Sequence, residues 1–290
     1  MTDEPPKRHK PVGPNISPLP KRGSGPNWSD LGPRIASAAV LVLLGALLIF
    51  SSGLWLRLGV SLLIGGMLWE LARLTAWRHA EFHSPRHPVL LGVLGGLTLL
   101  AMLVLPGDWP VLLAAVPILM GWSGTHSHER SSYLIFTLAI LLSGYALVVV
   151  REVMGLETTL WIVGTVVASD VLGYFVGRKL GGPKFWPAIS PKKTWSGTIA
   201  GWIGAIILAV ALVIMGQAGW EVVLLAPILA FCGQAGDIAE SWLKRRVGVK
   251  DSSDLIPGHG GLMDRFDAMA GAFLAALLAM VLGILPQIGG

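Results

Sequence analysis

The chain has 290 residues, a net charge of +5 and a mean hydropathy of +0.66. Hydrophobic residues make up 53% of it and charged residues only 13%, against about 25% charged residues in soluble domains. So few charges cannot cover the surface of a soluble enzyme, and a chain so apolar cannot be disordered beyond its first stretch. The single cysteine, Cys232, excludes an internal disulfide framework and any zinc site built from cysteines.

Residues 1–34 differ in composition from everything that follows. They contain eight prolines and six basic residues against three acidic ones, with no apolar periodicity. A signal peptide is not expected, because its apolar stretch would fall within about the first 15–30 residues. The composition predicts a disordered, basic, Pro-rich cytoplasmic tail. Its cations would set the membrane topology or bind anionic lipid headgroups.

From residue 35 onwards, apolar runs alternate with short polar breaks, which predicts one helical membrane domain over 35–290. A membrane-spanning helix needs about 20 mostly apolar residues. The first and fourth candidate segments are short, and the fourth also contains Pro110 and Pro117. The nine candidate segments are 35–50, 54–72, 89–105, 108–122, 132–150, 159–176, 198–216, 220–237 and 268–286.

The positions of the basic residues support this count of spans. If the N-terminus is cytoplasmic and all nine segments cross, every Lys and Arg except Arg57 and Arg151 lies on the cytoplasmic side. The positive-inside rule expects such an asymmetry. We therefore predict an all-α polytopic membrane protein with about nine transmembrane helices and a cytoplasmic N-terminus.

Acidic residues within predicted spans are costly and are candidates for function. Glu70 lies near the cytoplasmic end of the second span, and snorkelling toward Arg73 would explain it without any function. Asp170 lies in mid-span with no cation within one turn, which favours a functional role. Gly173 and Gly177 follow it with the spacing that lets two helices pack closely.

The loop after this span contains the run Ser-Pro-Lys-Lys-Thr-Trp-Ser-Gly at 190–197. Two adjacent lysines, Lys192 and Lys193, are equally consistent with a basic patch on the membrane surface and with phosphate binding.

A third acid, Asp237, ends the eighth span. Glu240, Ser241 and Lys244 follow it three, four and seven residues later, so all four side chains share one helical face. A face with two carboxylates and a lysine is poorly suited to lipid. It is well suited to a site for phosphate and metal.

The polar region then continues to a turn in which glycines surround His259. Such a turn can direct backbone N–H groups at an anion. Asp264 and Asp267 follow, and taken alone they are ordinary capping residues after a surface turn. Taken together with the carboxylates of the eighth span and five nearby cations, they favour an active site.

Carboxylates bind hard cations such as Mg²⁺, and two such cations can stabilise the attacking and leaving oxygens of an in-line displacement at phosphorus. Lys and Arg would balance the remaining phosphate charge. The common phosphate-binding loops, G-x-x-x-x-G-K-[ST] and G-x-G-x-x-G, are absent from the sequence. The residues therefore indicate phosphoryl or nucleotidyl transfer to a lipid substrate.

The 27 residues 241–267 resemble the signature of the phosphatidate cytidylyltransferases. They contain Ser241-Trp-Leu-Lys244-Arg245, then Lys250-Asp251, then His259-Gly260-Gly261-Leu-Met-Asp264-Arg265-Phe-Asp267. The surroundings of Asp170, the 190–194 run and Gly236-Asp237 also resemble family features. The resemblance places the catalytic part at about 160–285, while the first half matches only in being hydrophobic and the Pro-rich tail departs from the family.

This resemblance implies transfer of CMP from CTP to phosphatidic acid, which gives CDP-diacylglycerol and pyrophosphate for phospholipid biosynthesis. It implies Mg²⁺ at about two cation sites, a homodimer, no nucleic-acid partner, and a bacterial inner membrane with the active site facing the cytoplasm. It assigns metal binding to Asp237 and Asp264, and catalysis to these two with Lys244 and Asp267. The implied substrate-binding residues are Lys192, Lys193, Ser241, Arg245, Lys250, Asp251, His259, Gly260, Gly261 and Arg265. Asp170 and Glu240 are secondary candidates.

Two alternatives remain. A CTP-dependent polyprenol or lipid kinase would transfer the γ-phosphate instead, and the complete signature argues against it. A cation transporter could also use intramembrane acids, but a loop so rich in Lys and Arg would repel cations.

Overall fold

The computed structural model describes residues 31–76, 86–107, 109–125, 127–256 and 258–289. Most of the tail predicted over 1–34 lies outside these residues. Within them the chain forms nine α-helices and one two-stranded hairpin. The helices are α1 Leu31–Phe50, α2 Gly53–Thr75, α3 Arg86–Val104, α4 Ala115–Gly124, α5 Arg130–Val153, α6 Gly155–Leu180, α7 Trp195–Ile214, α8 Glu221–Arg246 and α9 Met263–Val281; the strands are β1 Lys184–Trp186 and β2 Ser190–Thr194.

Each apolar segment predicted from the sequence overlaps helical structure, although the ninth, 268–286, runs five residues past the end of α9. Helix α1 begins at Leu31, four residues before the predicted start of the first span. The fourth segment is split into a short 3₁₀ helix, Trp109–Ala114, and α4, which fits the prolines that it contains. Helix α8 extends nine residues beyond the predicted end at 237, so the first part of the polar region is helical.

Five helical stretches of the described chain are long and apolar enough to cross a membrane. They are Gly53–Thr75, His87–Val104, Ser127–Leu180, Trp195–Ile214 and Glu221–Arg246, and the third contains both α5 and α6. Large apolar side chains such as Val42, Leu62 and Leu224 are more than 70% exposed on the outer surfaces of their helices. These features identify a membrane protein.

The hairpin was not predicted from the sequence, which indicated only a polar loop between α6 and α7. Its strands pair antiparallel, with Lys184 opposite Thr194 and Trp186 opposite Ser190. The strands are three and five residues long, too short for an alternating pattern to be recognised. Over the described residues the regular structure is therefore helical except for this hairpin, which carries Lys192 and Lys193.

The hairpin is held close to α6 by small residues. A Cβ atom added at Gly177 would lie 2.8 Å from Thr194 Oγ1 and 3.2 Å from Gly197 Cα, so side chains larger than hydrogen would separate α6 from α7. Thr194 also caps α7, because its side chain accepts a hydrogen bond from the Gly197 N–H. The close packing predicted for Gly173 and Gly177 is confirmed.

Two clusters of buried apolar side chains form the core. One contains side chains from all five helices α5 through α9, including Trp161, Leu229 and Phe273. The other joins α2, α3 and α5, and it includes Leu243 of α8 and Met263 of α9. Leu243 and Met263 therefore link the polar ends of α8 and α9 to the N-terminal half of the bundle.

Candidate metal and phosphate site

Three carboxylates from α8 and α9 converge at one place. Asp237, Glu240 and Asp267 each offer an oxygen, and these three oxygens lie within 4.8 Å of one another. Among the described residues no N–H or hydroxyl group donates a hydrogen bond to Glu240 Oε1, although that atom is buried and its residue is only 2% exposed. Three carboxylate groups so close together repel one another unless a cation or proton neutralises them. The oxygen ligands suit a hard divalent cation.

Close packing of α8 against α9 brings these carboxylates together. A Cβ atom at Gly236 would lie 2.3 Å from the carbonyl oxygen of Asp267, and one at Gly271 would lie 2.2 Å from the carbonyl oxygen of Cys232. Neither contact is possible for a larger residue unless the helices move apart. The glycine before Asp237 therefore determines the distance from Asp237 to Asp267.

A Gly236→Ala substitution is expected to lower the thermal unfolding midpoint in detergent, because the added methyl group must push backbone away from backbone. Overpacking of this kind costs about 1–3 kcal/mol. The matched control is Gly45→Ala in α1, where an added Cβ would meet nothing within 4 Å. Equal midpoints for the two variants would contradict the close α8–α9 contact.

Two lysines neutralise part of this negative charge. Lys193 Nζ of β2 lies 2.5 Å from Asp237 Oδ2, and the two side chains are 26% and 34% exposed. Lys244 is buried, and its Nζ donates to Glu240 Oε2 at 2.9 Å and also to Asp264 Oδ1. The helical face predicted to carry Asp237, Glu240, Ser241 and Lys244 is thus confirmed.

Asp264 lies in the first turn of α9, ahead of the predicted ninth span. Its Oδ2 accepts hydrogen bonds from the backbone N–H groups of Ser252 and Gly261, at 2.8 and 2.7 Å, and from the Ser252 hydroxyl at 2.9 Å. Burial acts to raise the pKa of Asp264. The hydrogen bonds from Lys244, Gly261 and Ser252 outweigh burial, so the pKa is lowered and the carboxylate stays ionised.

Glu70 of α2 is completely buried, and it does not snorkel toward Arg73. Its carboxylate accepts hydrogen bonds from the Ser253 hydroxyl and from the backbone N–H groups at the start of α9, and the Ser252 hydroxyl lies 3.1 Å from its Oε2. Arg73 instead lies over the Trp69 ring, 4.9 Å from its centre. The snorkelling explanation from the sequence is wrong, because the partners of Glu70 come from a segment that is remote along the chain.

A cavity of about 840 Å³ opens beside the three carboxylates. It is lined by α6, the hairpin, α7, α8 and the start of α9. Beneath it Gln234 joins three helices: it accepts from Trp202 Nε1 at 3.0 Å and donates to Ser169 Oγ at 3.0 Å. The predicted site residues that line the cavity are Asp170, Lys192, Lys193, Asp237, Asp264, Arg265 and Asp267.

The other predicted binding residues are not among those that line the cavity. Arg245 is exposed and donates to the Val249 carbonyl oxygen, and Lys250 and Asp251 are exposed. His259 Nδ1 lies 2.7 Å from the Ser37 hydroxyl of α1, while its carbonyl oxygen accepts two hydrogen bonds from Arg265. Gly260 has a φ of +82°, which favours glycine, and Gly261 lies against Ser252 and Glu70.

The geometry missed by sequence reasoning is therefore the network around Glu70, Ser252 and Ser253. The serines lie within the predicted signature but match none of its recognised positions. The one signal in the sequence that could have indicated a role for Glu70 is that an acidic residue within a membrane span is energetically costly.

Comparisons with known proteins identify the family to which the chain belongs. The cytidylyltransferase family model matches residues 32–285. A phosphatidate cytidylyltransferase of Brucella abortus is 36% identical over 256 residues, covering 86% of this chain and 92% of the relative. A phosphatidate cytidylyltransferase of Staphylococcus haemolyticus is 32% identical over 211 residues, which cover 67% of this chain and 80% of the relative. One of Bacillus subtilis is 43% identical over 118 residues, which cover 39% of this chain and 44% of the relative. This chain belongs to the cytidylyltransferase family.

Proposed function

We propose that the protein transfers CMP from CTP to phosphatidic acid, releasing pyrophosphate and forming CDP-diacylglycerol for phospholipid biosynthesis. The observation that carries the proposal is the cluster of Asp237, Glu240 and Asp267 beside a cavity lined by lysines and arginines. Membership of the cytidylyltransferase family and the names of the relatives support this activity.

The residues fit a divalent cation, which we propose to be Mg²⁺. Glu240 Oε1 is buried and receives no hydrogen bond from an N–H or hydroxyl group of the described chain, and Glu240 lies beside two further carboxylates. We keep Asp264, which lines the same cavity, as the candidate ligand of a second cation, paired with Asp237 as the resemblance implies. Bound there, Mg²⁺ would neutralise phosphate charge and orient the α-phosphate of CTP.

The side chains around the cavity determine how the two anionic substrates can meet. Lys192 and Lys193 approach from the hairpin and Arg265 from α9, so positive charge surrounds the space where phosphates would lie. A phosphate oxygen of phosphatidic acid, already ionised at neutral pH, attacks the α-phosphorus of CTP. The bond to the bridging oxygen breaks, and pyrophosphate leaves with the electron pair. No strong general base is needed, so the protein contributes positioning and charge stabilisation.

The membrane surroundings fit the lipid substrate. A second cavity, of about 600 Å³, lies on the other side of α8 and is lined mainly by apolar side chains such as Ile135, Phe231 and Trp242. Gln234 lines both cavities. We propose that the acyl chains stay on this apolar side while the headgroup reaches the carboxylates.

We also propose a bacterial inner membrane with the site facing the cytoplasm, as the distribution of Lys and Arg favours. Nine spans, a cytoplasmic N-terminus and the homodimer likewise stay predictions. The mass of the purified protein in detergent, measured by light scattering, tests the homodimer.

Two labelled forms of CTP test the proposed reaction against the lipid kinase. Purified protein is incubated in detergent with Mg²⁺ and phosphatidic acid, or with a polyprenol, and the lipid-extractable label is counted. We expect label from the cytosine ring to enter lipid only with phosphatidic acid. Transfer of γ-phosphate label to the polyprenol, without cytosine label in lipid, would overturn the proposal in favour of the kinase.

Metal removal is expected to abolish this transfer. Chelation with EDTA should reduce incorporation of cytosine label to background, and excess Mg²⁺ should restore it, because the carboxylate cluster cannot neutralise phosphates by itself. A rate that EDTA leaves unchanged would show that the cluster has another role.

A further inference from the structure

Glu70 is a buried acid beside the proposed site, and both of its carboxylate oxygens have partners. Its Oε1 accepts from Ser253 Oγ at 2.6 Å and from Leu262 N at 2.9 Å. Its Oε2 accepts from Met263 N at 2.8 Å and lies 3.1 Å from Ser252 Oγ. Four groups that can donate hydrogen bonds, all from one distant segment, therefore converge on a side chain with no exposed surface.

Two of these donors are backbone N–H groups at the beginning of α9. The first N–H groups of a helix have no partners within the helix, and they favour a nearby negative charge. Leu262, at the N-cap position, provides no side-chain hydrogen bond. Glu70, from α2, takes the place of a local capping residue, and thereby fixes where α9 begins.

The same contacts extend to Asp264. The Ser252 hydroxyl lies within hydrogen-bonding distance of both Glu70 Oε2 and Asp264 Oδ2, at 3.1 and 2.9 Å. A Cβ atom at Gly261 would lie 2.3 Å from Glu70 Oε1 and 2.1 Å from Ser252 Oγ, so only glycine leaves room for this arrangement. Glu70, Ser252 and Gly261 thus contact one another, and Ser252 and Gly261 donate hydrogen bonds to Asp264.

We propose that Glu70 is a positioning residue, which holds segment 252–263 and the start of α9 so that Asp264 and Asp267 face the cavity. As far as it concerns CMP transfer, this inference rests on the proposed function. The negative charge and both oxygens are required, because Oε1 accepts from Ser253 Oγ and Leu262 N, and Oε2 accepts from Met263 N beside the Ser252 hydroxyl. A glutamine has one acceptor oxygen, so its amide nitrogen would face a serine hydroxyl and a backbone N–H. The hydroxyl can rotate to accept, whereas the backbone N–H cannot.

Glu70→Gln tests this role by three measurements in detergent: hydrogen–deuterium exchange, Mn²⁺ affinity by electron paramagnetic resonance, and CMP transfer. We expect faster exchange confined to 252–264, and Mn²⁺ affinity and kcat/KM both lowered about 10–100-fold, as for other residues that support metal ligands. The matched control is Glu152→Gln, which breaks the ion pair with Arg57. Arg57 lies 13 residues before Glu70, about 20 Å away along α2. The control should leave exchange at 252–264, Mn²⁺ affinity and kcat/KM unchanged.

Hydrogen exchange separates this proposal from the proposed function. Parental exchange at 252–264 in the Glu70→Gln variant would overturn the proposal whatever the enzyme catalyses. If exchange were faster but Mn²⁺ affinity and kcat/KM equalled those of the parent, the proposal that Glu70 orients Asp264 and Asp267 for activity would be overturned. If the parent protein itself makes no CDP-lipid, the proposed function fails while the exchange result still decides whether Glu70 positions the segment.

A milder variant covers the case in which Glu70→Gln does not fold. Ser253→Ala removes one donor to Glu70 and leaves the donors Leu262 N and Met263 N in place. Because Leu255 N also loses its acceptor, Ser253 Oγ, the exchange of Leu255 is left out of the comparison. We expect a smaller increase in exchange, confined to the same segment. Exchange equal to that of the parent would overturn the proposal.

Discussion

Replacing Asp237 with asparagine is expected to reduce the rate of CMP transfer about 10²–10³-fold, the range measured when one preorganised electrostatic group is removed from an active site. Asp237 is one of the three clustered carboxylates, and it contacts Lys193 of the hairpin and Ser241 of its own helix. Asparagine keeps the shape but removes one negative charge, which weakens cation binding. Initial rates at saturating CTP and phosphatidic acid, together with the half-saturating Mg²⁺ concentration, measure the effect.

The matched control for this variant is Asp254→Asn. Asp254 is an exposed acid on the loop between α8 and α9, and it takes no part in the proposed site. Its variant should turn over at the parental rate. A parental rate for Asp237→Asn as well would remove Asp237 from the active site.

Replacing Lys244 with methionine is expected to lower both stability and activity. Lys244 is 8% exposed and bonds to Glu240 and Asp264, so its removal leaves two largely buried carboxylates without their cation. Breaking a buried ion pair in this way costs about 3–5 kcal/mol. The thermal unfolding midpoint should fall, and Mg²⁺ should raise the midpoint more in the variant than in the parent, because the vacated carboxylates favour the cation. The value of kcat/KM for CTP should fall as well.

Lys179→Met is the control for the loss of one lysine, since Lys179 is exposed at the end of α6. It should leave the midpoint and its response to Mg²⁺ unchanged. If Lys244→Met matched this control in both quantities, Lys244 would be neither a structural cation nor part of the site.

Local periodicity and charge predicted the parts of the fold that depend on neighbours in sequence. The shared face of Asp237, Glu240, Ser241 and Lys244 follows from a helical repeat alone, and α8 confirms it. The family assignment followed from residue spacings within 241–267. The shared helical face and the family assignment each depend on fewer than 30 consecutive residues.

Contacts between remote segments could not be predicted in the same way. Nothing near Glu70 in sequence identifies Ser252, Ser253 and the start of α9 as its partners, because tertiary packing brings them together. Similarly, the sequence alone offered Asp237 and Asp264 as a pair. In the structure it is Glu240 and Asp267 that join Asp237, because the glycine contacts between α8 and α9 determine which side chains meet.

The most direct test of the account follows both products of the proposed reaction. Purified protein freed of metal by chelation is given unlabelled CTP and phosphatidic acid, and then Mg²⁺, and the products are quantified by mass spectrometry and phosphorus NMR. The account predicts that CDP-diacylglycerol and pyrophosphate appear in equal amounts, and only after Mg²⁺ is added. Release of CDP with phosphorylation of a lipid, or formation of CDP-diacylglycerol in the absence of metal, would contradict it.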